Sequence, residues 1–542
     1  MKSGENYNSS RRGFLKGIAV SALVLPFLNS CKEKALSLVF RLTGTHHVLG
    51  HRLWTKNFPK PTETHHVECL IVGGGISGLS AARHFVKKGM QDFLLLEMEN
   101  HLGGNSSNGE NRYSKFPLGA HYLPLPNFQD KELLQFLSEE KIITGYDVEG
   151  YPIFDEEQLT FSPQERLFYK NNWQEGLVPK YGNSAKEDND FEAFFAKMDF
   201  FRTAKDEQGN YYFDIPLSLS SDKNEIRALD NSTMRQWLQE QNLTSQPLLD
   251  YVDYCCRDDF GLGIASVSAW AGIHYFAGRK HDSVKEDRDN VLTWPEGNAR
   301  LATHLKKYSE KKALKNHLVY SVQVQNDKVH VLVFDEKKNS SKTIIADKVL
   351  MATPQFVNQY LFEGRKDCAK NFHYAPWMLA TLTVNELWDN ASYPLCWDNV
   401  VHGSKGLGYI YDQHQSVEQL QSKKVLTYYY SFSDADTRKS RRFMYKQSQA
   451  YWKQLVFNDL KIPHPTIESQ TQTIEVHRLG HGMISPVPGF IFGEAKQKAA
   501  KPIENKIYFA HSDLSGISIF EEAFHQGIKA ADAIIYGTTL DT

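Results

Sequence analysis

Apolar residues along this chain gather in short runs that end at glycine, proline or a carboxylate, separated by stretches of helical period. The first run, Val67 to Val72, enters Gly73-Gly74-Gly75, and the pattern beyond it predicts a helix from about Ile76 to Lys88. A second run, Phe93 to Leu96, stops on Glu97. Strand, turn, helix and strand in this order make a βαβ unit. Farther on, Leu318–Gln325 and Lys328–Phe334 alternate on either side of Asn326-Asp327, which predicts a hairpin with a two-residue turn. Ile344 to Ala352 reads as a buried strand halted at Pro354, and Ile507–Ala510 as a last strand. The closing helix runs from about Ser518 to Tyr536, with Glu521 and Glu522 near its positively polarised start.

The glycine turn carries chemistry. Gly73 gives the tight turn, Gly75 lets a pyrophosphate approach the backbone, and Gly78 lets the helix pack close to the strand. The N–H groups at the helix start, around Ile76 and Ser77, favour a diphosphate. Glu97 follows Gly78 by 19 residues, close to the spacing of a carboxylate that holds a ribose hydroxyl pair. Glu99 points the same way along an extended chain, but Glu97 directly ends the apolar run. A glycine turn serving an ordinary βαβ unit would leave Glu97 unexplained. The pattern points to an adenine dinucleotide.

A chain of 542 residues exceeds one ordinary core and implies several domains. Segments 126–285 and 371–500 break the βαβ pattern; the first holds helical stretches such as Lys131–Lys141 and Thr233–Gln241, the second is aromatic-rich and irregular. They read as an inserted α+β substrate domain. Segments 67–125, 286–370 and 501–542 make a discontinuous nucleotide domain, so the expected class is α/β. A net charge of −2 with interspersed signs gives no basic stripe and no nucleic-acid partner. The six cysteines lack metal spacing, and adjacent Cys255 and Cys256 are expected as free thiols. The histidine pairs at 46–47 and 65–66 lack supporting carboxylates and read as surface residues, so no metal site is expected.

The N-terminus is an address. Ser10-Arg11-Arg12-Gly13-Phe14-Leu15-Lys16 matches the twin-arginine export motif, and Gly17–Leu28 has the length of a signal core rather than a membrane span. Leu28-Asn29-Ser30-Cys31 resembles a loose lipobox, which would tether the protein to a membrane through a lipidated Cys31. Residues 1–31 are thus expected to be a signal read by the twin-arginine machinery, 32–66 a polar tether, and the destination a bacterial periplasm or cell envelope.

With these elements in place, most of residues 67–542 resembles the flavin-containing amine oxidase and phytoene desaturase superfamily. Gly73 to Gly78, Glu97 and the pair Gly103-Gly104 match its N-terminal FAD motif, and the second glycine pair favours FAD over NAD. Trp294-Pro295-Glu296-Gly297-Asn298 looks like its Pro-x-Gly-Gly loop, and Tyr508 to Asp513 is similar to its closing Phe-Ala-Gly-Asp segment. The resemblance implies a Rossmann-like FAD-binding domain. It places Asp513 near the ribityl–phosphate region, Ser518 and Ile519 at a helix start facing the flavin ring, and Val324 at the adenine. His121, within a Gly-Ala-His element, would pass near the flavin. Asn105 replaces a frequent arginine, Asn298 a glycine, and Tyr374–Thr381 lacks the lysine that amine oxidases often place near the flavin.

Those implications describe an enzyme that removes hydride from a C–N or C–C bond of a small organic substrate and passes electrons to oxygen or another acceptor. Alternatives are a desaturase acting on an apolar, isoprenoid-like chain, a non-redox mutase of the same superfamily, and a binding subunit that keeps flavin for structure. His477, Arg478 and His481, flanked by glycines, are the candidate catalytic cluster; a turn whose histidines cap backbone groups is the plainer reading. Tyr374, Trp377 and Trp294 are candidate pocket walls or core residues.

Overall fold

The computed structural model describes residues 38–280, 290–387, 392–416 and 423–537, so the twin-arginine motif and Cys31 lie outside the described residues. The architecture is α/β. One sheet builds on Pro61–Val72, paired in parallel with Phe93–Leu96 on one side and Ser340–Met351 on the other. Ile507–Phe509 adds a further parallel strand to Ser340–Met351. Cys69, Leu70, Ile71, Val349, Leu350 and Met351 are fully buried, because helices and loops cover both faces of a parallel sheet. The predicted hairpin is present as His317–Gln325 and Lys328–Asp335. Asn326 and Asp327 both take positive φ, 50° and 62°, which matches the right-handed twist of the arms.

The helix Ile76–Lys87 packs against Phe520–Tyr536, and glycine makes the approach possible. A Cβ on Gly527 would stand 2.0 Å from Ser80 Oγ and 2.2 Å from the Ser77 carbonyl oxygen. Ser80 Oγ fixes the contact by donating to the Phe524 carbonyl at 2.9 Å.

A second sheet of eight strands supports the other half of the molecule. Its centre is Tyr374–Val384, antiparallel to Lys424–Ser431 and to Thr471–Ile484. Every residue of Tyr374–Val384 is buried, which removes the alternation that a one-sided strand would show. The expectation that 371–500 is irregular is therefore corrected. Helices Ala185–Thr203, Gln246–Phe260 and Ala269–Ala277 share one apolar core with Trp377, Leu379 and Tyr429 of this sheet.

The polar tether is also corrected for its described part. His65 and His66 pair with Ile344 and Ile345, so the first parallel strand begins six residues before its apolar run. Leu49 and Leu53 are buried in the core, Phe58 stacks on Tyr320 at 4.1 Å, and Thr43 bonds the Thr471–Ile484 strand. A few apolar anchors suffice to order a segment of polar composition. Cys255 and Cys256 are free and buried.

Candidate functional site

The expected nucleotide cradle forms where the parallel strands end. Gly73 has φ +111°, and a Cβ there would fall 2.3 Å from the Ala352 carbonyl oxygen, so only glycine fits. At Gly78 a Cβ would lie 2.0 Å from the Gly73 carbonyl oxygen, which accounts for the close helix–strand packing. Gly75 differs from both. Nothing but the Gly104 Cα, 4.0 Å away, borders its missing Cβ, so the space beside it is open. The Gly103 N–H donates to the Gly74 carbonyl at 2.8 Å and locks the two glycine segments edge to edge. No side chain caps the helix that starts at Ile76, and no acidic residue lies in its first turn. Its N–H groups and the open side of Gly75 thus suit an anion.

Glu97 rather than Glu99 serves this turn. Its carboxylate accepts from the N–H of Gly74 and of Glu99, each at 2.7 Å, whereas Glu99 accepts from the His46 N–H. Burial raises the Glu97 carboxyl to about 7, against the lowering effect of these N–H donors. The folded chain therefore keeps a proton that the unfolded chain releases between pH 4.5 and 7. Stability of the flavin-free protein should fall as pH rises through that window, and Glu97→Gln should flatten the slope in thermal melts at stepped pH.

Asp513 is fully buried, with Oδ2 accepting from Tyr374 Oη at 2.6 Å and from the Gln355 N–H at 2.8 Å. Ser518 Oγ accepts from the Ile484 N–H at 3.0 Å, and Ile519 is the residue that starts the covering helix. Asn105 Nδ2 donates to the Gly482 carbonyl at 2.7 Å, tying the second glycine pair to the Thr471–Ile484 strand. The Val324 assignment is corrected. The His317 N–H bonds the Glu97 carbonyl at 2.8 Å, and Val324 lies seven positions along the same strand, roughly 20 Å away at about 3.3 Å per residue. The segment beside Glu97 is Asn316–Leu318, which the hairpin pattern alone does not single out.

His121 joins a cage of rings. Its centroid lies 4.7 Å from Tyr429, 4.8 Å from Tyr122 and 5.7 Å from Trp397. Tyr429 Oη donates to the Gly119 carbonyl at 3.1 Å, and the Ala120 N–H donates to the Asn105 carbonyl at 3.0 Å. The cage is thereby bolted to the second glycine pair. Burial drives the His121 imidazole down to about 3, so it is neutral at physiological pH. Trp377, 6.5 Å from Tyr429, extends the ring surface, while Tyr374 turns toward Asp513 and Trp294 bonds Gln158.

His477, Arg478 and His481 share a strand but not a site. Two extra residues bulge between the pairs Trp377–Leu479 and Ala375–Met483, and this displaces His481 from the regular alternation. His477 Nδ1 bonds Thr43 Oγ1 at 2.9 Å, Arg478 stands over Tyr445, and His481 stacks on Phe356 at 3.7 Å. Burial lowers His477 to about 4 and leaves His481 neutral as well. His101, on the loop that leads to Gly103, adds to the lowering of His477, so His477 borders the nucleotide side rather than the ring cage.

A model of flavin-containing amine oxidoreductases matches residues 76–535. The chain belongs to this family. Among curated relatives, an L-amino acid dehydrogenase of a Synechocystis strain is 26% identical over 241 residues, covering 42% of this chain and 44% of that protein. A 4,4'-diaponeurosporene oxygenase of Staphylococcus haemolyticus is 31% identical over 80 residues, 14% of this chain and 16% of that protein. The matches thus span less than half of either relative. Among solved structures, putrescine oxidase superposes with a TM-score of 0.62 at 14% identity, covering 87% of this chain and all of that one. Cyclohexylamine oxidase from Brevibacterium oxydans does so at 0.62 and 15%, covering 87% and 99%. These likenesses show the Rossmann-like FAD-binding fold.

Within this flavin amine oxidoreductase, two departures from the family motifs have structural reasons. Asn298 Nδ2 donates to the Tyr122 carbonyl at 2.8 Å and its N–H to the Ala120 carbonyl at 3.0 Å, so it steadies the segment that bears His121. Asn105 makes the strand contact described above. Where a lysine is often found, this chain has a neutral ladder. Thr381 Oγ1 lies 3.2 Å from Thr427 Oγ1, and Thr427 Oγ1 donates to Asp412 Oδ2 at 2.8 Å. Sequence reasoning missed Asp258, Asp259, Asp398 and Asp412 near the cage, since residues this far apart in sequence share no spacing. Asp258 and Asp259 sit in the last turn of a helix, and burial raises them to about 6 and about 7.

Proposed function

We propose that this chain is an exported FAD-dependent oxidoreductase that takes hydride from the C–N bond of a small amine. The observation that carries the reading is the attachment of the ring cage to the dinucleotide cradle: His121 follows Ala120, whose N–H bonds the carbonyl of Asn105, the residue after the Gly103-Gly104 pair. When bound, FAD supplies the hydride acceptor. Gly75 and the uncapped start of the Ile76–Lys87 helix would hold its pyrophosphate, and Glu97 its ribose hydroxyls. The Phe520–Tyr536 helix start, positioned by Ser518 on Ile484, would border the ring. The cage rings orient the substrate carbon and exclude water, which favours a near-attack distance of roughly 3–3.5 Å. An amine must arrive neutral, and a carboxylate of near-neutral pKa such as Asp259 can accept its proton.

An aromatic cage with the buried carboxylate of Asp412 beside His121 and Trp397 favours an amine over an apolar chain, which ranks the desaturase reading second. A mutase would need paired arginines for a sugar-nucleotide diphosphate, and Arg478 is engaged with Tyr445. The test is anaerobic titration of FAD-loaded protein with primary amines, amino acids and isoprenoids. Bleaching by amines supports the reading, while bleaching by isoprenoids alone, or by nothing in the panel, overturns it. Peroxide assay on readmitting air then identifies oxygen or another acceptor.

Export rests on Arg11 and Arg12 and on the lipobox ending at Cys31. Arg11→Lys with Arg12→Lys should strand the precursor in the cytoplasm. Fractionation showing undiminished envelope delivery would reject the twin-arginine route.

A further inference from the structure

We propose that the exposed face of the helix Thr437–Tyr445, with Val48 and Trp54 beside it, docks on an anionic lipid bilayer. Such docking goes beyond the amine oxidase reading and does not depend on it.

The helix is cationic on its outer side. From Asp434 to Lys446 the chain has five cations, Arg438, Lys439, Arg441, Arg442 and Lys446, against two carboxylates, in a protein of net charge −2. Both carboxylates serve the turn that starts the helix. Asp434 accepts from the Asp436 N–H at 3.0 Å, and Asp436 from the Lys439 N–H at 2.9 Å. Arg441 turns inward and donates to the carbonyls of Gly480 and Tyr374, which pins the helix to two strands of the second sheet. The others turn outward. Arg438, Lys439, Arg442, Phe443 and Lys446 are exposed and fall within one arc of about 140° at about 3.6 residues per turn. Among the described residues, none of the four cations on this face has an ion-pair partner. Along the chain the signs read as interspersed; the helical turn gathers one of them.

Apolar side chains stand among these charges. Phe443 is 46% exposed on the helix itself. Tyr445 meets His47 at 4.5 Å, His47 lies 5.5 Å from His51, and His51 stacks on Trp54 at 3.8 Å. This row of rings ends at Trp54, 60% exposed, and carries Val48, 67% exposed, on the short helix of His47. Unpaired cations beside exposed rings fit a headgroup layer, where the rings sink and the cations meet lipid phosphates. A polyanion in water would satisfy the charges and leave the rings wet.

The chain itself supplies the direction of approach. Phe443 lies 5.6 Å from Tyr451, and Lys453 on the same helix, Gln449–Leu460, stands over Phe40 at 5.9 Å. Phe40 follows Cys31 by nine positions, at most roughly 30 Å of extended chain at about 3.3–3.6 Å per residue. A lipid on Cys31 would therefore keep this face within reach of the surface, and an acyl signal with a polybasic patch anchors more firmly than either alone.

The experiment measures cosedimentation of the FAD-loaded full chain with vesicles of phosphatidylcholine, or of equal parts phosphatidylcholine and phosphatidylglycerol. Every chain carries Cys31→Ala, which removes any acyl group, so the outcome is separate from lipidation and from amine oxidation. The signal core and its arginines are common to all chains, so the readout is the change on substitution. Arg438→Glu with Arg442→Glu should weaken binding to the anionic vesicles by about tenfold or more and leave binding to phosphatidylcholine unchanged. Raised salt should erase that difference. Lys337→Glu with Lys338→Glu makes the same charge change on an exposed turn of the first sheet and should leave anionic binding nearly unchanged. Phe443→Ser should weaken binding to both vesicles. Flavin bands and thermal midpoints check that each variant is folded, and Arg438→Ala with Arg442→Ala, a milder pair, should show a smaller loss in the same direction. Equal losses in the two glutamate pairs, or no loss on vesicles in either helix pair, overturns the proposal. So does a helix pair that loses heparin binding alone, which would assign the face to a soluble polyanion.

Discussion

A Gly75→Trp variant should fold, purify and emerge colourless, while the wild type carries flavin absorbance bands. Gly75 has φ −75° and ψ −175°, which any residue adopts, and a Cβ there meets only Gly104 at 4.0 Å. The indole would therefore enter the open side of the turn rather than displace the backbone. It would occupy the path of the pyrophosphate and deny it two to three charge-assisted hydrogen bonds. At about 1.5–3 kcal/mol each, their loss weakens flavin binding roughly a hundredfold or more. The thermal midpoint of the variant should match flavin-free wild type. Gly73→Ala is the contrasting control, because its Cβ would strike the Ala352 carbonyl and its φ is unsuited to a side chain. It should lose both colour and stability. Retention of flavin by Gly75→Trp after reconstitution would refute the cradle.

Gly527→Val should destabilise the chain by about 3 kcal/mol, at the upper end of the overpacking range. The substitution drives a branched side chain into Ser80 Oγ and the Ser77 carbonyl, atoms that already lie 2.0 and 2.2 Å from where a Cβ would be. The two helices must separate, and the Ser80 bond to the Phe524 carbonyl breaks. Chemical denaturation should show a lower midpoint, with flavin release preceding loss of secondary structure. A midpoint within about 0.5 kcal/mol of wild type would mean that the helix pair is not tightly seated.

These two sites mark the legible part of the sequence. Gly73, Gly75, Gly78 and Glu97 are readable because their roles depend on spacing within one βαβ unit, and Asn326-Asp327 because two residues decide a hairpin. Tyr374–Val384 was not readable as a strand, since burial on both faces erases its period. His477 and His481 look like neighbours in sequence, yet a two-residue bulge sends them to Thr43 and Phe356. Val324 fails by distance along a strand whose direction the hairpin leaves open. The carboxylates at 258, 259 and 398 gather only after a helix end docks on the second sheet. Gly261 ends that helix at φ +72° and faces Ala375 and Trp377 at closest approach.

The bond from Ser80 to the carbonyl of Phe524 spans 444 positions, and the back of the glycine turn is closed by Ala352. The nucleotide seat is thus assembled from stretches that lie far apart in the chain. A nascent chain halted before Phe520–Tyr536 has the loop but no covering helix, so cofactor capture must wait until that helix has been made.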